Sequence, residues 1–476
     1  MKQYIRVKEY QKRLEKNMLL ADVAKELSKA KADLEEKRIA GSESEKEVVR
    51  DVTNYVLAPA LNGFVAWVLT ESMKQGIRRL YFLARDGYFM YRTAEFYVKE
   101  FGLPIECKYL YCSRYSIRIP NYHLDTEKAL DYITLGGLDI TAKKLYKRAG
   151  FNREQRRRMY EEGVLPLQKE EQIPREQLPE IKRRLGENKG FMDMLQENSY
   201  KAFPIYEQYL KQEGLLEEIP MALVDSGWVG SMQKELNLSL QKLGKKEPLK
   251  GFYWGLYELP QDTQRKDYFT YFFSPEGEMK RKTSFNNCLF ESIFTAPHGM
   301  TLGYEKGQDK ICPIFSEISE ERKERLVLME ETIKQWQKSF LKSVRKMPDF
   351  LVLEQLGGKE VLTIIEKNME CFMHHPTKAE ASAFGEVEFT DDILEYRGNK
   401  IATYLNEKEL AQNHFIGKLW TKVSGNKEHV RQSAWYEGSA VVYGKHPEYH
   451  IFHYSCYKYA MNYRKQAIWR RRYEGN

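Results

Sequence analysis

The six cysteines, Cys107, Cys112, Cys288, Cys312, Cys371 and Cys456, form no Cys-x-x-Cys pair. Structural zinc sites and dense disulfide frameworks rely on closely spaced cysteines, so this scatter argues against both and predicts reduced, small core residues. Long apolar runs are missing as well. "GFVAWVLT" at 63–70 is among the longest, whereas a bilayer-spanning helix needs about 20 apolar residues. The opening "MKQYIRVKEYQKRLEK" has no apolar signal-peptide core, so a cytosolic protein is expected. His374 and His375 precede a proline and have no companion at metal-ligand spacing. Neither an internal repeat nor a low-complexity linker interrupts the chain.

What is present is length and charge. At 476 residues the chain exceeds what one hydrophobic core usually holds, and two or three domains are expected. Charged residues make up 30% of it and the net charge is +8. With a mean hydropathy of −0.64, much of the helical surface must face water. The basic residues are unevenly spread, and the tail "YRKQAIWRRRYEGN" is strongly cationic. Such a tail is either a solvated helix end or a surface for an anionic partner such as a phosphorylated substrate or an acidic membrane. Nucleic acid is disfavoured because no continuous basic stripe interleaved with aromatics runs outside the tail.

Residues 1–47 read as a polar helical arm. From 47 to 76 the apolar residues recur at three- and four-residue intervals, which predicts an amphipathic helix with a break or kink at Pro59 or Gly63. The pattern then becomes strand, helix, strand. "IRRLYFLA" (77–84), "IECKYLYC" (105–112), "IPMALVDSG" (219–227) and "LKGFYWGLY" (249–257) are short apolar runs, and the helical stretches after the first and third point to a parallel sheet with right-handed crossovers. The expected fold is α/β: a parallel Rossmann-like sheet with a large helical insertion and helical additions at both ends. The α/β core would comprise 48–135 and 218–315, the insertion 136–217, and a C-terminal helical region 316–476 that holds seven of the nine histidines.

Ligands of open parallel sheets bind beyond the carboxyl ends of the strands, and three predicted strand ends carry polar groups. In "VDSGWVGSMQ" (224–233), Asp225 ends a strand, Gly227 and Gly230 permit close backbone approach, and Ser231 opens a helix whose N–H groups suit a phosphate. The same residues also suit a plain turn and cap. Arg85 in "ARDG" and Arg114 in "CSRYSIR" each follow a buried strand, where a guanidinium pairs with a structural carboxylate, Asp86 or Asp225, or binds phosphate in bidentate fashion; Arg118 could join them. Asp86 and Asp225 suit ribose hydroxyls, a magnesium ion or the role of base. A second cluster, "TSFNNCLFESIFTAPHGMTLGYE" (283–305), places Asn286, Asn287 and Glu291 near one helix start and exposes His298 in a tight turn. Glu291 lies on an apolar face, where a carboxylate needs a partner or a task. Trp435, Glu437 and Ser439 either line an acceptor groove or pack.

"LYFLARDGYFMYRTA", "YLYCSR", "VDSGWVGSMQ", "GFYWGLY" and "NNCLFESIFTAPHGMTLGY" together resemble the glycan phosphoribosyltransferase portion of dual-domain bacterial ribofuranosyltransferases. These are polysaccharide-cluster proteins often labelled hydrolases of the haloacid dehalogenase superfamily. The resemblance covers residues 48–315 well and the remainder loosely. It implies phosphoribosyl diphosphate as donor, a glycan hydroxyl, lipid-linked or free, as acceptor, and a phosphatase that removes the 5-phosphate afterwards. The Asp-x-Asp motif of that phosphatase class is absent from residues 1–80, and Asp86 is followed by Gly-Tyr-Phe, so this chain is expected to lack phosphatase activity: either a separate phosphatase finishes the reaction or the phosphate stays. The expected catalytic groups are Asp86, Glu291 and Asp225. Binding is expected from Arg85, Gly87, Ser113, Arg114, Ser226, Gly227, Trp228, Gly230, Ser231, Asn287 and His298. Magnesium is the one cofactor considered, and no organic cofactor is expected. The rival readings are a sugar-phosphate phosphohydrolase and a non-catalytic sugar-phosphate-binding scaffold.

Overall fold

The computed structural model describes residues 2–35, 45–136, 140–165, 170–344, 349–389, 399–423 and 430–473. Parts of the predicted N-terminal arm (36–44), of the insertion (137–139 and 166–169) and of the basic tail (474–476) lie outside the described residues. The centre is a five-stranded, all-parallel sheet of order β2-β1-β3-β4-β5. The strands are β1 (Arg79–Leu83), β2 (Glu106–Leu110), β3 (Met221–Trp228), β4 (Lys250–Leu256) and β5 (Tyr268–Phe273). Period-two alternation sorts their side chains onto two buried faces. Leu80, Phe82, Ala222, Val224, Phe252 and Trp254 join one cluster, while Tyr81, Leu83, Met221 and Leu223 join another on the opposite side.

The four expected strands are present, and a fifth, β5, was not anticipated. Only a short 3-10 helix, Arg265–Asp267, lies between β4 and β5, so no strand–helix–strand pattern marks it. An antiparallel hairpin, β6 (Thr301–Lys306) with β7 (Ile311–Phe315), was equally unforeseen, because glycines and charges interrupt its alternation. It closes over the end of β2, where Tyr304 donates to the carbonyl of Tyr111 at 2.9 Å.

The helix expected over 47–76 is not amphipathic but buried on nearly every face, from Ala58 to Ser72. It passes through Pro59 without a break. A π-helical turn, Thr53–Leu57, precedes the proline, and the Ala58 N–H reaches back to the Thr53 carbonyl. The helical stretch Glu45–Lys74 is long and apolar enough to cross a membrane, yet its apolar window is 94% buried inside the molecule, the position of a core helix. The N-terminal helices and those between residues 320 and 385 pack on the same cluster: Tyr10 donates to Glu380 at 2.8 Å and Trp336 and Phe340 are fully buried. The helices of the long insertion have a core of their own, running from Tyr122 to Leu195. No cysteine forms a disulfide; Cys112 is buried, Cys107, Cys288 and Cys371 are partly buried against the core, and Cys456 is exposed.

Candidate functional site

The strand order reverses between β1 and β3, which makes the crevice at their carboxyl ends the topological switch point. Asp86 leaves β1 there, just before the helix Gly87–Phe101, after a cis Ala84–Arg85 peptide. From β3, the buried Ser226 hydroxyl crosses the crevice and donates to Asp86 Oδ2 at 2.6 Å. Asp225 precedes it. At the end of β3 the backbone turns through Gly227 (φ 111°) and Trp228 (φ 69°). Trp228 thus occupies the left-handed region that few non-glycine residues adopt, and its indole N–H donates to Glu291 Oε1. Glu291 lies on the short helix Asn287–Ile293, one turn beyond Asn287 and on the same face.

Three carboxylates therefore share one partly buried crevice, and burial governs their protonation. It pushes Asp225 up to about 7, with the Asp86 charge adding to the shift and Arg114 opposing it. It pushes Glu291 up to about 7 as well, aided by Asp86 and opposed by Arg114, the Trp228 hydrogen bond and Arg85. Asp86 is raised by burial too, while Arg85, Ser226, Arg114 and Arg322 all favour its charged form. Acids that titrate near neutrality suit proton transfer.

The guanidinium groups of Arg85 and Arg114 make no hydrogen bond or ion pair among the described residues, and Arg114 is exposed. Arg322, which sequence reasoning passed over inside a charged helical run, is the third guanidinium here. It donates to Thr295 Oγ1, and to the Ala296 carbonyl at 3.1 Å, while its Nε is buried without a hydrogen-bond partner. Burial, with the nearby Arg85 charge, brings it down to about 10.

Other expected residues serve elsewhere. Arg118 does not join the arginines. It pairs with Glu235 at 3.2 Å and lies over the Tyr132 ring at 3.8 Å, tying three helices together. The Ser113 hydroxyl caps the helix Arg114–Asn121 and donates to the Thr301 carbonyl at 2.6 Å, so its bonding capacity goes to structure. Asn286 caps the Asn287–Ile293 helix and donates to the Ala434 carbonyl. A Cβ on Gly227 would lie 2.4 Å from the Gly255 carbonyl oxygen, and one on Gly230 would lie 2.7 Å from the Tyr268 ring; both glycines face packed protein. Gly87 likewise sits against Phe82. Ser231 does open a helix, Ser231–Lys242, whose N-terminus carries no side-chain cap, leaving its first amides for another acceptor. Trp435, Glu437 and Ser439 are fully buried and line no groove.

His298 is not exposed but half-buried. Its Nδ1 donates to the Gly299 carbonyl at 2.8 Å, which leaves Nε2 to accept from the Tyr109 hydroxyl at 2.8 Å. Burial lowers its pKa and keeps it neutral. Tyr109 connects this site to a groove of about 400 Å³ beside the edge strand β2, lined by Tyr88, Tyr91, Arg92, Cys107, Lys108, Tyr109, Tyr111 and Glu213. Neither the hairpin contacts nor this tyrosine wall had a sequence signal beyond aromatic richness. Among the described residues no three His, Cys, Asp or Glu side chains are placed to hold a metal ion. No protein-family model matches the chain, and no curated protein matches it.

Proposed function

We propose that the protein transfers a 5-phosphoribosyl group from phosphoribosyl diphosphate to a glycan hydroxyl in surface-polysaccharide assembly, on the cytoplasmic side. The observation that carries this reading is the crevice between β1 and β3, where Arg85, Arg114 and Arg322 stand beside Asp86, Asp225 and Glu291. The unpaired guanidinium groups of Arg85 and Arg114, with Arg322 held beside them by neutral acceptors, suit a diphosphate, and the uncapped N-terminus at Ser231 suits the 5-phosphate. Asp86, held by Ser226, and Asp225 are placed for ribose hydroxyls. They would also hold magnesium, as one or two carboxylates completed by diphosphate oxygens.

In the transfer, the acceptor oxygen bonds to C1 of the ribose as the C1–oxygen bond to diphosphate breaks. The electron pair departs with the diphosphate, whose growing charge the arginines meet. The acceptor proton passes to Glu291, which the Trp228 indole holds by one oxygen and whose pKa of about 7 suits a base. The acceptor approaches along the tyrosine-lined groove at β2, which replaces the Trp435 region as the sugar platform. A separate phosphatase then removes the 5-phosphate.

The test is thermal stabilisation by phosphoribosyl diphosphate, nucleotide sugars and ribose 5-phosphate in parallel. Stabilisation by phosphoribosyl diphosphate that disappears in Arg114→Ala is expected. A shift with a nucleotide sugar and none with phosphoribosyl diphosphate overturns the donor, and phosphate release from sugar phosphates reassigns the crevice to a phosphohydrolase. Binding of phosphoribosyl diphosphate with no transfer to any glycan leaves a binding scaffold instead.

A further inference from the structure

The helix Phe415–Val423 turns its apolar side outward: Ile416 is 70% and Trp420 72% exposed, with Phe415 and Leu419 beside them. It leans on the long helix Pro447–Tyr473, with Lys418 over the Tyr457 ring at 5.8 Å and His414 stacked on His453. That long helix has an exposed stripe of its own, Tyr449, Phe452, Tyr459 and Tyr463, whose three- and four-residue spacing puts them on one face. Ten of the nineteen large apolar side chains exposed among the described residues lie on these two helices. A concentration of this kind marks an interaction surface rather than the scattered apolar residues of an ordinary exterior.

The charge is one-sided. The segment Phe415–Val423 contains no carboxylate, and the long helix Pro447–Tyr473 carries a single one, Glu448, in its first turn. Arg464, Arg470 and Arg471 are exposed and have no ion-pair partner among the described residues. Exposed Trp, Tyr and aliphatic side chains beside uncompensated arginines fit the headgroup layer of an anionic bilayer, where rings sit at the interface and each cation contributes attraction. We propose that this pair of helices docks the protein on an anionic lipid surface. The inference stands independently of the chemistry assigned to the crevice.

The full chain is sedimented with vesicles of phosphatidylcholine alone and of phosphatidylcholine with about 30% phosphatidylglycerol, at low and high salt, where screening separates the charge contribution. Binding at least about tenfold stronger to the anionic vesicles and weakened by salt is expected. The double variants I416E/W420E and R470E/R471E should each lower it about tenfold or more, with melting temperatures unchanged because the substituted side chains are exposed. Equal sedimentation with both vesicle types, or binding unaffected by both double variants, overturns the proposal. So does a concentration-dependent dimer that I416E/W420E dissociates in the absence of any vesicle binding, which would assign the surface to a second copy of the chain.

Discussion

Two groups of buried charge in this molecule use similar residues to opposite ends. In the C-terminal helices, fully buried Glu437 has the Lys458 ammonium at 3.1 Å and the His374 ring at 3.4 Å, and despite desolvation these neighbours hold it down to about 2. At the sheet edge, Asp225 and Glu291 are pushed up to about 7, while the guanidinium groups of Arg85 and Arg114 close by bond to nothing among the described residues. A carboxylate with its cation in contact is settled; carboxylates and guanidinia that share a crevice without pairing remain available. The first arrangement locks helices together, and the second leaves groups of the kind the proposed transfer needs, cations for an anion and carboxyls for a proton.

Mutations should separate the two. Asp86→Ala is expected to reduce phosphoribosyl transfer by about a thousandfold or more, a loss of about 4 kcal/mol, with the fold retained in circular dichroism. Unfolding of this variant would return the crevice to a structural role. Lys458→Met leaves buried Glu437 with the His374 ring but without its ammonium partner, and denaturant titration should show a loss of about 3 kcal/mol with no change in substrate affinity per folded molecule. The wild-type pH–rate profile is expected to have a limb centred near pH 7, and Glu291→Gln should remove it. Arg118→Ala, which breaks an ion pair and a cation–π contact outside the crevice, should cost about 1 kcal/mol in stability and leave transfer within a few-fold of wild type.

A fifth expectation concerns pH. Asp225 rises from 3.8 to about 7 and Glu291 from 4.5 to about 7 on folding, so between about pH 4 and 7 the folded chain holds protons that the unfolded chain has released. Stability should therefore fall as pH rises through that window and level off above it. In Asp225→Asn the decline, measured by melting temperature against pH, should be shallower. Binding of diphosphate, by neutralising the arginines that favour the charged carboxyls, should draw protons in. Titration calorimetry in buffers of different ionisation enthalpy detects that uptake.

The strand ends were legible because a parallel sheet buries its strands on both faces, so "LYFL" and "MALV" stand out as apolar runs and the first polar residue after each marks the carboxyl edge. Asp86, Asp225 and Ser226 could be found this way. Arg322 could not, because its helix is rich in charge and nothing local distinguishes one arginine there from the next. Arg118 was misplaced for the reverse reason: it sits at a strand end in the sequence, but a helical turn carries it away from the crevice to Glu235. The tyrosine groove and β5 also escaped, since aromatic residues pack in cores as readily as they line clefts.

Periodicity and turn chemistry in the chain alone determined the parallel α/β class, the positions of four strands and the polar residues at their ends, because these depend on contacts between near neighbours and on which faces must be buried. Which arginines meet which carboxylates was decided only in three dimensions. The crevice draws Asp86, Ser226, Glu291 and Arg322 from segments far apart in the chain, and their protonation follows from the burial and the field that this convergence creates.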